Sequence, residues 1–178
     1  MMNQGWARLA RFSSVFLRLA LGTAFLSAVA DRFGLWGSFG QPNVSWGTFA
    51  RFLEYTHKLN WYLPEGMILA LAVISTVAEL LFGILLLAGW HTRVTALLSG
   101  LLLMLFGLAM TLALGVKAPL NFSVFPAAGG AFLLAHGKRF PFSLDNLLFR
   151  RRRTRQETAL PVYQHRPPER RINFKETR

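Results

Sequence analysis

The chain has 178 residues, of which 53% are hydrophobic, 13% aromatic and only 16% charged, and it carries a formal charge of +12 with no cysteine. Without cysteine it has no disulfide framework and no dithiol relay of its own. A charged share well below the usual quarter excludes an ordinary water-facing surface along the whole length. The charge is also segregated: residues 94–116 contain no ionisable group, whereas residues 138–178 hold twelve Lys or Arg against four acids. That division predicts a membrane domain over 1–137 and a basic tail over 138–178.

The first apolar stretch, 12–30, is interrupted only by Arg18. Arg8 and Arg11 ahead of it and LSAVA at its end have the outline of a cleaved signal peptide. The internal arginine and the following DRFGLWG fit better a retained helix that passes into a loop. In that loop, SWGTFARFLEYTHKLN predicts an amphipathic helix opened by Asn43 or Ser45. Trp46, Phe49, Phe52, Leu53, Thr56 and Leu59 share one face, with Arg51, Glu54 and Lys58 opposite. The helix either lies in the membrane interface, with Trp61 and Tyr62 as anchors, or forms a lid on the mouth of the bundle.

Three more apolar stretches follow. Residues 66–90 carry one charge, Glu79; residues 94–116 carry none; residues 118–136 are shorter and include Asn121, Pro126 and the Gly129–Gly130 pair. About 20 apolar residues cross the bilayer core, so the expected fold is all-α: an integral membrane four-helix bundle with an amphipathic helix in its first outer loop. With both termini cytoplasmic, fifteen Lys or Arg lie inside and four outside, setting aside Arg18, as the positive-inside rule requires. The tail begins with a short helix capped by Ser143, runs into arginines at 150–153 and is expected to be mostly disordered after about residue 154. The arginine block suits anionic lipid headgroups, at about 1 kcal/mol per charge. No pattern for base recognition accompanies it, so nucleic acid is not an expected partner.

Glu79 and Arg18 are the charges placed within spans. A lone charge there costs about 2.5–3.5 kcal/mol on insertion scales, so it turns inward and finds a partner. Counted from the same side, Arg18 is about 9 Å deep and Glu79 about 15 Å, a difference that an arginine side chain can bridge, so the two are candidates for a direct pair. Two roles stay open for Glu79: holding helix register, paired with Arg18 or accepting a hydroxyl proton from Ser75 or Thr76, or relaying a proton to a quinone or substrate. Asp31, Arg32, Lys117 and Asn121 fall at the outer ends of spans, either as ordinary helix-end charges or as a polar entrance for an anionic or quinone-like ligand. His91 and His136 share an inner level suited to axial haem ligation, but their interfacial setting beside Arg93 and Lys138 reads as solvated histidine. No recognisable motif binds a cofactor. Small residues mark expected helix contacts: Ala20, Ala24 and Ala28; Ala127, Ala131 and Ala135; and Gly83, four after Glu79.

The stretches RLALGTAFLSAVADRFGLWG, AELLFGILLLAGWHTRVTALLSGLLLMLFGLAM and GVKAPLNFSVFPAAGGAFLLA together resemble the DoxX family of small bacterial and archaeal membrane proteins. The likeness covers about residues 18–135 and rests most on Glu79, Gly83, Gly89 and Thr92–Arg93. It implies a four-helix protein of the plasma membrane and, from some relatives, a subunit linked to quinone-coupled sulfur oxidation or to oxidative-stress complexes, working with a second subunit or as a homo-oligomer. The alternative is a non-catalytic scaffold or assembly factor.

Overall fold

A computed structural model describes residues 4–137 and 140–146; the arginine block and the rest of the tail lie outside the described residues. Among the described residues the ordered elements are all helical: α1 (Gln4–Arg32), α2 (Phe49–Leu59), α3 (Glu65–Ala88), α4 (Thr92–Leu114), α5 (Lys117–Asn121) and α6 (Val124–His136). Leu, Ala, Met and Phe fill these segments without an internal break, and proline falls only near helix starts, where a missing N–H is tolerated.

Three of the helices, α1, α3 and α4, are long and apolar enough to cross a membrane. Their outward faces are apolar too: Ile74, Ile84, Leu105 and Leu112 are all exposed. The expected fourth span is different. Ser123, in the left-handed region at φ 54°, divides it into α5 and a 13-residue α6 that by itself spans only about 20 Å.

Register in the α1–α3 pair is set by two glycines. A Cβ on Gly22 would stand 3.1 Å from the Gly83 carbonyl oxygen, and a Cβ on Gly83 would stand 3.1 Å from the Gly22 carbonyl oxygen and 2.8 Å from the Leu26 side chain. The two backbones therefore approach closely at this level, and a Cβ on either side would crowd the facing carbonyl. Of the small residues expected at helix contacts, Gly83 and Ala131 are buried, but Ala20 and Ala24 are exposed on the opposite side of α1. On the other side of the core, rings of α6 cover glycines of α4: Phe132 lies over Gly100 and Phe125 over Gly107. Leu21, Phe25, Leu86, Ala96, Ala131 and Leu134 fill the space between the pairs, with Phe140 closing one end. Gly83→Val is expected to cost about 1–3 kcal/mol by overpacking, measured as a lower thermal midpoint in detergent, while Ala24→Val, on the exposed face, leaves the midpoint unchanged.

The α2 helix packs on α3, α4 and α1 through Phe52, Thr56 and Leu59, so of the two expected placements it takes that of a lid. It starts later than expected. Thr48, not Asn43 or Ser45, is its N-cap, because the backbone at 45–47 is held by another group, described below. Packing also continues past the expected domain boundary at 137/138: Phe140 and Ser143 are buried. Ser143 caps the expected short helix, its Oγ accepting from the Asn146 amide at 3.1 Å.

Candidate functional site

The buried charged residues Arg18, Asp31, Arg32 and Glu79 sort into two clusters, one at each end of the α1–α3 pair. At the α2 end, Arg32 closes α1, which terminates at Gly34 in the left-handed region at φ 73°. Its long side chain turns back along α3, where Thr76 and Glu79 offer acceptors. Nη1 donates to Thr76 Oγ1 at 2.7 Å, and Nη2 donates to Glu79 Oε1 and Oε2 at 2.7 and 2.8 Å. Both side chains are 2% exposed. Thr76 in turn donates its hydroxyl proton to the Ala72 carbonyl at 2.7 Å, so it is free to accept from the guanidinium. From the lid, the Phe52 ring centre lies 3.6 Å from the guanidinium carbon and the Trp46 ring 5.4 Å, a cation–π arrangement. Arg32 thus joins α1, α3 and the lid. Its Nε is buried and has no hydrogen-bond partner among the described residues. Beside Trp46, the half-buried Tyr55 of the lid has its phenol pushed above its ordinary pKa by burial, so it stays a neutral group.

Asp31, the neighbour of Arg32, points the other way. Its carboxylate accepts from the amides of Ser45 and Trp46 at 2.9 and 3.1 Å and of Gly47 at 3.4 Å. Three successive N–H groups converging on one carboxylate form an anion nest, which delays the start of α2 and places Trp46 over Arg32. Lys117 and Asn121, expected beside Asp31 and Arg32, are exposed on α5 and join neither group. The four residues therefore form no open polar entrance: two are buried and committed, two face outward.

At the opposite end stands Arg18, 2% exposed. The expected pair with Glu79 does not form. With Gly22 facing Gly83, Glu79 is level with Leu26, two turns or about 12 Å from Arg18. Arg18 instead donates Nε to the Leu86 carbonyl at 3.0 Å and Nη2 to the Leu87 carbonyl at 3.2 Å, and it reaches Pro141 and Phe142 carbonyls at 3.0 and 3.1 Å. The last carbonyls of a helix lack intrahelical partners and carry its negative dipole end, so a guanidinium is well matched to them. Gly89 makes room for it: the residue is left-handed at φ 66°, and a Cβ there would meet Arg18 Nη2 at 2.7 Å.

The segment carrying Pro141 and Phe142 is fastened to the α3–α4 turn by Asp145. Its amide donates to the Gly89 carbonyl at 3.1 Å, and its carboxylate accepts from the His91 and Thr92 amides, both at 2.8 Å. Asp145 is therefore the N-terminal cap of α4, supplied from more than 50 residues away in sequence. Asp145→Ala should cost about 1–2 kcal/mol and raise amide exchange at His91 and Thr92; Asp145→Asn, which keeps one acceptor, should cost less. His91 and His136 are both exposed, as solvated histidines would be. Among the described residues no group of three His, Cys, Asp or Glu is placed to hold a metal ion.

Sequence reasoning found Glu79 and Arg18 as inward-facing charges but missed their true partners. Arg32 stood at a helix end, where a charge needs no explanation, and Asp145 stood in the basic tail. One signal was present for each: an arginine beside an aspartate at an apolar helix end, and an acid two residues after a capping serine. Comparison of the chain with family models, with curated proteins and with solved structures gave no match.

Proposed function

We propose that this chain is a four-pass plasma-membrane protein of the DoxX type, with both termini cytoplasmic, that serves as a non-catalytic subunit holding partners of a quinone-linked redox assembly. The three long apolar helices support the membrane setting, and the distribution of Lys and Arg supports the orientation. In this reading the broken α5–α6 pair completes the fourth crossing: its short helix is lengthened by α5, and its two prolines and Ser123 sit at the outer end.

One observation favours a holding role over chemistry at Glu79. Both carboxylate oxygens are taken by a guanidinium that is itself bound to Thr76 and covered by Phe52. A proton relay needs a group free to exchange its proton with a substrate; this carboxylate is engaged as a fixed counter-ion. The pair and the Asp31 nest hold the outer segment rigidly, so the aromatic residues it exposes, Phe33, Trp36, Phe39 and Trp61, form a stable surface for a partner.

A second reading, direct contact with a quinone, is favoured by the Nε of Arg32 beneath Trp46 and Phe52, which has no hydrogen-bond partner among the described residues and is a donor that a quinone carbonyl would satisfy once the lid lifts. The test is quinone-dependent oxidation in membranes from a deletion strain complemented with wild type or Glu79→Gln, normalised to folded protein. The holding role expects deletion to lower the rate and Glu79→Gln to restore it. Direct participation expects a well-assembled but inactive Glu79→Gln. An unchanged rate on deletion overturns the redox link in both forms.

A further inference from the structure

We propose that the cleft between α4 and α6, at the end of the molecule that holds Arg18, binds an anionic phospholipid. The cleft is lined by Arg93, Val94, Leu97, Phe132, Ala135 and His136. Its two walls are each one helical turn long: 93 to 97 on α4 and 132 to 136 on α6, about 6 Å of rise. Both polar residues lie at the same end of that turn and the apolar ones fill the rest, so the cleft is itself amphiphilic in the sense of a lipid: charge at the rim, hydrocarbon below.

Arg93 is poised for an anion. Its Nε donates to the Gly137 carbonyl at 2.8 Å, which anchors the guanidinium at the rim, and its Nη groups have no partner among the described residues. His136 adds a second exposed donor, and no carboxylate lines the cleft. The nearby acid, Asp145, accepts from the His91 and Thr92 amides and forms no ion pair with Arg93 among the described residues. Below the rim, Val94 and Leu97 are exposed and Phe132 is half-buried, giving a wall for the glycerol backbone and first methylenes. Basic pockets between spans at the cytoplasmic face select anionic headgroups on this principle. This lipid site is distinct from the general attraction expected of the arginines at 150–153, because it joins an anchored guanidinium to an adjacent apolar wall.

The inference rests on the membrane reading above, and the experiment separates the two. Full-length protein purified from membranes in detergent is titrated with phosphatidylglycerol or phosphatidylcholine and observed by native mass spectrometry. Wild type should retain phosphatidylglycerol in preference to phosphatidylcholine. Arg93→Gln should weaken phosphatidylglycerol retention about fivefold, the effect of one charge contact. Leu97→Trp, which fills the cleft and leaves every charge in place, should weaken it as well. A chain recovered in the soluble fraction would overturn the membrane reading and this inference together. A membrane-embedded chain with equal retention of both lipids, or one whose preference survives both variants and is lost only when Arg150, Arg151, Arg152 and Arg153 are changed to Gln, would overturn the lipid site alone.

Discussion

Glu79→Leu is expected to be the most damaging single substitution in the protein, at about 3–5 kcal/mol, because it strands a guanidinium that cannot shed its charge. Arg32 would keep Thr76 and the Phe52 ring, but neither offsets a full charge at 2% exposure. Arg32→Met should be milder, since a carboxyl left alone neutralises by taking up a proton. The double variant Arg32→Met with Glu79→Leu removes both charges and should recover most of the loss, with a coupling of at least about 1 kcal/mol between the two sites. Resistance to unfolding in detergent measures this order: wild type and double variant highest, Arg32→Met between, Glu79→Leu lowest. Equal losses in the two single variants, with no recovery in the double, would remove the ion pair as the link between α1 and α3.

Arg18→Met should have an effect of similar size by a different route. Here the loss is not of a counter-ion but of donors to four carbonyls, two at the end of α3 and two in the strap at 140–146. A buried carbonyl left without a donor costs about 1–3 kcal/mol. Water entering from the helix end recovers part of this, so the expected total is about 3–4 kcal/mol. The distinguishing sign is local. Protease cutting and amide exchange should rise at 140–146 and at the α4 N-terminus, because losing the strap also loosens the Asp145 cap, while the α2 end stays protected. Arg18→Lys keeps the charge but has three donors on one nitrogen instead of a planar fork, so it should preserve the α3 contacts and lose the strap. Opening at both ends of the molecule would show that the two clusters are one cooperative unit.

The two clusters share a logic. In each, an arginine at or near the α1 surface of the core satisfies polar groups on α3, and in each an aspartate ties a loop to that arginine's neighbourhood: Asp31 through the amides at 45–47, Asp145 through those of His91 and Thr92. The lid and the strap are therefore held to the helices by the same kinds of bonds, one at each end.

Composition and hydropathy alone determined that the protein is helical with long apolar segments at 12–30, 66–90 and 94–116, that α1, α3 and α4 are long enough to span a bilayer, that α2 is amphipathic, and that Glu79 faces inward. These follow from the cost of placing charge or unpaired backbone in hydrocarbon, which acts on each segment separately. Which charge meets which was decided only by the tertiary structure, because depth counted from the ends of hydropathy segments does not set helix register. The contact of Gly22 with Gly83 does, and it moves Glu79 two turns away from Arg18 and within reach of Arg32. The break at Ser123 and the return of Asp145 to the α4 N-terminus were likewise beyond local pattern: a left-handed serine has no hydropathy signature, and a cap supplied from another part of the chain exists only once the helices have packed.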